Sequence, residues 1–183
     1  MKKIERHEVV DYQTYEETRE EFRSQVLGEK ARRRIHVGDC FTFLFENRLT
    51  LRYQVQEMMR AERIVKERDI LQEIETYNAL LGGEGELGCT LLVEIDEPGM
   101  RDRKLRAWRG LPEHLYVRME DGRVVRAQFD EGQRSAERIS SVQYLKFPVG
   151  GHAPVSVGVD FPGLEAETRL SPDQRVALAE DLR

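Results

Sequence analysis

The sequence predicts an α+β fold: a single domain in which a mainly antiparallel sheet of about five to seven strands packs against helices from the N-terminal half. Helical apolar spacing gathers in residues 1–82, whereas alternating apolar and polar residues gather in 88–170, before a last helix over 172–182. Asp121-Gly122 also lies between two alternating runs, which is typical of a two-residue hairpin turn. Such grouping favours an antiparallel sheet over repeated βαβ units.

Composition narrows the class of protein. The chain has 183 residues, 39% of them hydrophobic, which is enough for a sizeable core in one domain. Its net charge of −5 disfavours general binding to nucleic acid or to an anionic membrane. No apolar run is long enough for a signal peptide or a membrane span, so we expect a soluble, cytoplasmic protein without a membrane partner.

The first helix is predicted from a capping box, with Thr14 as N-cap and Glu17 three residues later. Tyr15, Phe22 and Val26 then recur at helical spacing on one face. Acidic residues crowd the start of this helix and basic residues crowd its end, the order that the helix dipole favours. The basic residues at the end are Lys30, Arg32, Arg33 and Arg34.

A strand over 37–46 follows, because Phe41, Phe43 and Phe45 alternate onto one face. Asn47-Arg48 is the predicted turn into a second helix. Its buried stripe comprises Leu51, Val55, Met58 and Met59. A third helix starts near Asp69 and ends before Gly82-Gly83.

Period-two alternation dominates the second half, with predicted strands around Leu91, over 115–119, 124–129 and 140–147, and over 155–161. A short basic helix over 100–111 interrupts them, and Ser171-Pro172 opens the last helix. We predict one sheet containing Phe43, Val93, Val125, Leu145 and Val157. Its apolar face should be covered by the helices around Phe22, Met58 and Ile74.

Amide and charged side chains cluster where the first strand meets the second helix. Guanidinium and amide groups that converge there could recognise a carboxylate or an amide. Five of these residues are expected to lie close together, with Arg48 or Arg60 bonded to a carboxylate; the alternative is a solvated helix face carrying weak Glu–Arg pairs. The candidate binding residues are Glu46, Asn47, Arg48, Gln56, Glu57, Arg60 and Arg63. The five expected together are Glu46, Arg48, Gln56, Glu57 and Arg60.

Other chemistries find less support in the sequence. Cys40 and Cys89 are isolated, which predicts two reduced, buried thiols and neither a disulfide nor a metal pair. The four histidines have no metal-binding spacing, so no metal or other cofactor is assigned. The glycine-rich run over 82–88 lacks the following Lys and helix of a phosphate-binding loop. Trp108 lies in a basic helix, but a solvated face explains that helix better than nucleic acid does.

Several segments together resemble the bacterial domain of unknown function 3501 family, over nearly the whole chain. They are Phe45-Glu46-Asn47-Arg48, Gln56-Glu57-Met58, Arg60-Ala61-Glu62-Arg63-Ile64, Tyr77-Asn78, Thr90-Leu91-Leu92-Val93-Glu94, Ser141-Val142-Gln143-Tyr144-Leu145, Phe147-Pro148 and the ending from Pro172 to Leu182. That family has no established activity. Its genes often lie near those for rubrerythrin-like proteins and iron–sulfur oxidoreductases, so the resemblance implies an accessory role in redox or peroxide defence.

The leading functional hypothesis is an accessory binding protein whose polar cluster holds a small molecule or a protein partner, with a homodimer as one form of such a partnership. The alternative is an enzyme that uses Glu46 or Glu57 as an acid–base, with or without a metal. A buried, perturbed carboxylate in a cleft would favour the enzyme, and solvated Glu–Arg pairs would favour the binding protein.

Overall fold

The computed structural model describes residues 2–130, 132 and 137–183. Five α-helices and nine strands occur in this part of the chain. In order they are α1 (Tyr12–Ala31), β1 (Arg34–Val37), β2 (Phe41–Phe45), α2 (Arg48–Glu62), α3 (Glu67–Asn78), β3 (Glu86–Val93), α4 (Pro98–Ala107), β4 (Leu115–Arg118), β5 (Val124–Arg126), β6 (Gln128–Phe129), β7 (Val142–Pro148), β8 (Ser156–Val159), β9 (Ala166–Arg169) and α5 (Pro172–Asp181).

The strands form two antiparallel sheets. The five-stranded sheet has the order β1-β2-β3-β7-β6, and the four-stranded sheet has the order β5-β4-β8-β9. The predicted α+β class with antiparallel pairing is therefore confirmed. The prediction of one sheet is wrong. Val125 and Val157 both pair with Val117 of β4 in the four-stranded sheet. Phe43, Val93 and Leu145 lie in the five-stranded sheet.

One backbone run connects the two sheets. β5 pairs with β4 and β6 pairs with β7, and only Ala127 separates the two strands. The Ala127 amide still donates to the Leu115 carbonyl of the four-stranded sheet at 3.0 Å, and the next residue, Gln128, already belongs to the five-stranded sheet. At the opposite edge, Thr168 Oγ1 donates to the His36 carbonyl at 2.7 Å. Alternation over 124–129 predicted this strand but could not show that its two ends have different partners.

The main core lies between the sheets. Phe43, Phe45 and Phe147 from the first sheet face Val117 and Val157 from the second, and all five are fully buried. The predicted helical cover of the apolar face is therefore wrong, because the second sheet occupies that face. The helices instead bury a smaller cluster of their own with residues near the chain start. It comprises Ile4, Val9, Leu51, Val55, Met59, Ile70, Ile74 and Leu81.

Several element boundaries differ from the predicted ones. α1 begins earlier than the capping box suggested, because Asp11 is the N-cap and accepts from the Gln13 and Thr14 amides, both at 3.0 Å. The strand predicted over 37–46 is the second arm of a hairpin, since Gly38 (φ 59°) allows a turn between β1 and β2. Ser171 caps α5 as predicted.

Candidate functional site

The start of α2 is fixed by a reciprocal cap directly after β2. Asn47 Oδ1 accepts from the Thr50 amide at 2.9 Å, and Thr50 Oγ1 accepts from the Asn47 amide at 3.0 Å. The helix therefore begins at Arg48, and it ends at Glu62. Since side chains repeat about every 3.6 residues along a helix, the candidates on α2 are distributed over several faces.

Glu46 is a buried carboxyl group with hydroxyl partners. Its side chain is 2% exposed and accepts from Thr50 Oγ1 at 2.5 Å and from Thr90 Oγ1 at 2.7 Å. Burial raises the pKa of Glu46, although these two hydrogen bonds oppose the rise. Glu46 is thus enclosed by its neighbours and has no ion pair with Arg48 or Arg60.

Residues 2–10, which we call the strap, are held against α2 by Arg48 and Gln56. Arg48 donates to the Lys3 carbonyl at 3.1 Å and pairs with the Glu8 carboxylate. The buried Gln56 side chain accepts from the Val10 amide at 2.8 Å and donates to the Val10 carbonyl at 3.1 Å. Both candidates therefore bind a segment of their own chain.

Glu57 is the acceptor of a partly buried network between α1 and α2. Arg19 donates to it from Nε at 2.7 Å and from Nη2 at 3.0 Å, and Tyr15 Oη donates at 2.7 Å. The hydrogen bond from Arg19 lowers the pKa of Glu57, and the Tyr15 bond adds to the effect against the opposing influence of burial. Glu57 is therefore a stable carboxylate at neutral pH.

Arg60 makes only long contacts with its neighbours. Its Nη1 lies 3.6 Å from Glu16 and its Nη2 lies 3.6 Å from Glu57, and it donates no hydrogen bond to any residue that the structure describes. Its Nε is buried without a partner, although the side chain as a whole is 33% exposed. That exposure makes its ion pairs surface bridges, whose loss costs under about 1 kcal/mol.

Arg60 and Arg63 line one groove between the start of α1 and the end of α2. We call it the Arg60 groove; it encloses about 450 Å³ and is lined by Tyr12, Gln13, Glu16, Glu17, Arg60 and Arg63. Arg63 ends α2 in the left-handed conformation (φ 51°), the one positive φ outside glycine in the described ranges. Its side chain is exposed and pairs with no described residue.

The predicted cluster is therefore dispersed. Arg48 and Arg60 each lie beside a carboxylate, as predicted, but the partner of Arg48 is Glu8 and that of Arg60 is Glu16 or Glu57. Only the Glu57–Arg60 contact joins two of the five residues expected together, so the prediction that all five lie together is wrong. Asn47 and Arg48 instead line a second groove of about 440 Å³ at the start of α2. As ligand-binding residues, all seven remain a prediction.

The most buried ion pair among the described residues was not predicted from the sequence. Arg33 donates to Asp181 from Nε at 2.7 Å and from Nη2 at 2.9 Å, and also pairs with Glu29. Burial alone would lower the pKa of Arg33, but the bonds and charges of Asp181 and Glu29 outweigh it and raise that pKa. The basic run at the end of α1 was attributed to the helix dipole, and no local pattern connects it with a residue on α5.

The outer face of the second sheet carries a further polar network. Glu167 accepts from Tyr116 Oη at 2.6 Å, from Ser156 Oγ at 2.5 Å and from Arg118 at 2.7 and 2.9 Å. The Arg118 hydrogen bond is the largest influence that lowers the pKa of Glu167, to about 2. The Tyr116 ring crosses Gly158, where a Cβ would lie 2.4 Å from Tyr116 Cζ. β9, which carries Glu167, had not been predicted.

The two cysteines are unpaired, and only one is fully buried. Burial raises the pKa of Cys89 well above its usual range. Cys40 is half-buried and lines a groove of about 320 Å³ with Lys104 and Trp108, so the prediction of two buried thiols is wrong for Cys40. Within the described residues, no group of three or more His, Cys, Asp or Glu side chains is arranged to hold a metal ion.

These features define a class of protein: an α+β fold with two antiparallel sheets and a helical layer that carries an arginine-lined groove. The chain belongs to the family described as "Protein of unknown function (DUF3501)", which matches residues 3–182. The resemblance noted from the sequence is thereby confirmed.

A solved structure shares this architecture. It is a novel protein of unknown function from Burkholderia pseudomallei K96243, 30% identical to this chain, with a TM-score of 0.92 and 100% of both chains covered. A search of curated proteins gave no match. Among the helices of the described residues, none is both long and apolar enough to cross a membrane.

Proposed function

We propose that the protein is an accessory binding protein and that the Arg60 groove receives an anionic group, a carboxylate or a phosphate, of a small molecule or a protein partner. A second copy of the chain would be one such partner. The accessory role in redox or peroxide defence stays an implication of family resemblance, because no contact in the groove bears on it.

The observation that carries the proposal is the hydrogen-bonding state of Arg60. Its Nε is buried without an acceptor, and its terminal nitrogens lie 3.6 Å from carboxylates, beyond normal hydrogen-bond length. An unsatisfied buried donor costs about 1–3 kcal/mol, so an acceptor supplied from outside would recover free energy that the isolated chain forgoes. A guanidinium also presents a planar fork of N–H donors that can bind two oxygens of a carboxylate or a phosphate at once.

Arg63 provides a second cation on the same wall of the groove. Because Arg63 has no partner within the described residues, binding an anion there would break no existing ion pair. Glu16 and Glu17 on the opposite wall restrict the site to an anion that reaches the arginines from the α2 side.

The enzymatic alternative has weaker geometric support. Glu46 has the perturbed pKa of an acid–base group, but it is enclosed by Thr50 and Thr90 and is 2% exposed. Glu57 is more accessible, yet its pKa is lowered by Arg19, so it is a weak base and holds no proton at neutral pH. Neither carboxyl group combines access to substrate with a pKa suited to proton transfer.

The test is a titration of the 15N-labelled protein with acetate, succinate, citrate and inorganic phosphate, followed on the arginine Nε–H resonances. Binding should shift the Arg60 signal most, because its guanidinium gains an acceptor. Arg60→Lys should lower affinity about 10- to 100-fold, the equivalent of one charge-assisted hydrogen bond.

Arg63→Ala should weaken binding by a smaller factor. Arg68→Ala is the matched control, since Arg68 is a highly exposed arginine on α3 outside the groove. The proposal fails if no probe shifts Arg60, or if Arg68→Ala weakens binding as much as Arg60→Lys does.

A further inference from the structure

The strap is held by two side-chain amides that bind its backbone. Asn78 accepts from the Ile4 amide at 2.8 Å and donates to the Ile4 carbonyl at 2.9 Å. Gln56 makes the same pair of bonds with Val10, at 2.8 and 3.1 Å. An amide that satisfies both the N–H and the C=O of one residue offers what a neighbouring β-strand would offer. These contacts recognise the peptide backbone and are independent of the side chains at the two positions.

Side-chain recognition in the strap comes from two aliphatic anchors, one acid and one exposed arginine; Arg6 donates to Glu67, the first residue of α3, from Nε at 2.9 Å and from Nη2 at 3.0 Å. Ile4 and Val9 are each 3% exposed and pack in the cluster formed by α2 and α3, whereas Lys2, Lys3, Glu5, His7 and Val10 are exposed. Glu8 pairs with Arg48. A tight 3₁₀ turn over Arg6–Glu8 sets the spacing between the anchors.

The surface beneath the strap belongs to α2 and α3. α2 and α3 supply the apolar floor, the two amides and Arg48, and these groups belong to helices that pack on each other. The strap adds only two aliphatic side chains and a few polar bonds. Its detachment should therefore require less free energy than unfolding of the sheets.

We call the surface of α2 and α3 beneath the strap the α2–α3 groove. We propose that this groove binds peptides and that the strap occupies it in cis, as a displaceable internal ligand. The partner is a peptide segment with two aliphatic residues five positions apart and a glutamate directly before the second. This site is independent of the Arg60 groove, and neither proposal depends on the other.

Peptide competition in the full-length chain tests the proposal. The probe is a fluorescein-labelled synthetic peptide with the sequence of residues 2–11, followed by fluorescence anisotropy, with a scrambled peptide as control. The wild-type protein should bind weakly, because the tethered strap competes at a high effective concentration. The double variant Ile4→Ser/Val9→Ser weakens the strap and leaves the groove intact, so it should bind the probe at least 10-fold more tightly.

Adding Gln56→Ala and Asn78→Ala to that variant should reverse the gain by at least 10-fold, and a probe with Gln in place of Glu8 should bind about threefold more weakly. The proposal is overturned if the folded strap variant binds no probe, or if removing both amides leaves binding unchanged. A wild-type dimer in sedimentation that the strap variant loses would assign the groove to a second copy's strap and would also overturn it.

Hydrogen exchange of the wild-type protein decides the matter if the strap variant fails to fold. The Ile4 and Val10 amides should exchange at least 100-fold faster than the Phe43 amide, through opening of the strap alone. Exchange of all three at one common rate would mean that the strap leaves only on global unfolding, and the groove would then be unavailable to a partner.

Discussion

Replacing Asp181 with Ala should be among the most damaging single substitutions in this protein. Arg33 and Asp181 are joined by two hydrogen bonds, at 2.7 and 2.9 Å, and their side chains are 2% and 6% exposed. Removing one partner of a buried pair costs about 3–5 kcal/mol, because the other charge is left uncompensated. Glu29 still pairs with Arg33, so we expect the lower end of that range.

For a chain of this size, a loss of about 3 kcal/mol corresponds to a fall in Tm of roughly 6–12 °C. Thermal and urea unfolding followed by circular dichroism would measure it. Glu180→Ala is the matched control: Glu180 is the preceding residue and also pairs with an arginine, Arg32 at 3.1 Å, but its side chain is 50% exposed. Its loss should cost under about 1 kcal/mol.

Two outcomes would refute this reasoning. One is an Asp181→Ala variant no less stable than Glu180→Ala. The other concerns Arg33→Met/Asp181→Leu, which removes both charges and should recover much of the lost stability. If the double variant is as unstable as Asp181→Ala, the cost arises from lost packing and not from an uncompensated charge.

The remaining predictions concern protons and thiols. Since burial raises the pKa of Glu46, its charged form opposes folding; wild-type stability relative to Glu46→Gln should therefore decline as the pH rises above 4.5, and parallel curves would contradict this. Glu167 has the opposite sign: its pKa is lowered from 4.5 to about 2, so its contribution should be present above pH 4.5 and lost as the pH falls toward 2. Acid unfolding of Glu167→Gln should lack that loss. A thiol reagent should label one cysteine of the native protein, and Cys40→Ser should abolish the labelling; reaction at Cys89 would show that its site opens.

Local patterns predicted the elements of this fold well and their partners poorly. The hairpin around Asp121-Gly122 and the cap at Ser171 were found because turns and caps depend on a few adjacent residues. The division into two sheets was missed, because alternation over 124–129 is the same whether or not the strand changes partners at Ala127.

The candidate site shows the same division. Arg60 and Arg63 were selected by residue type and do line a groove, whereas Gln56 and Arg48 were selected on the same grounds and hold the strap. Gln56 and Arg48 contact strap residues 46 and 40 positions away, and helical spacing along α2 cannot reveal which distant segment each side chain meets.

The single residue between β5 and β6 also has a consequence for the order of folding. The β4–β5 hairpin closes across a few residues and can form early, since short loops close at little entropic cost. Once the hairpin forms, β6 follows β5 after one residue and can pair with β7, on whose other edge the distant β3 can then pair. We therefore expect the β4–β5 hairpin to form before the five-stranded sheet and the recruitment of β3 to be slow, because pairing β3 with β7 closes the longest loop among these steps.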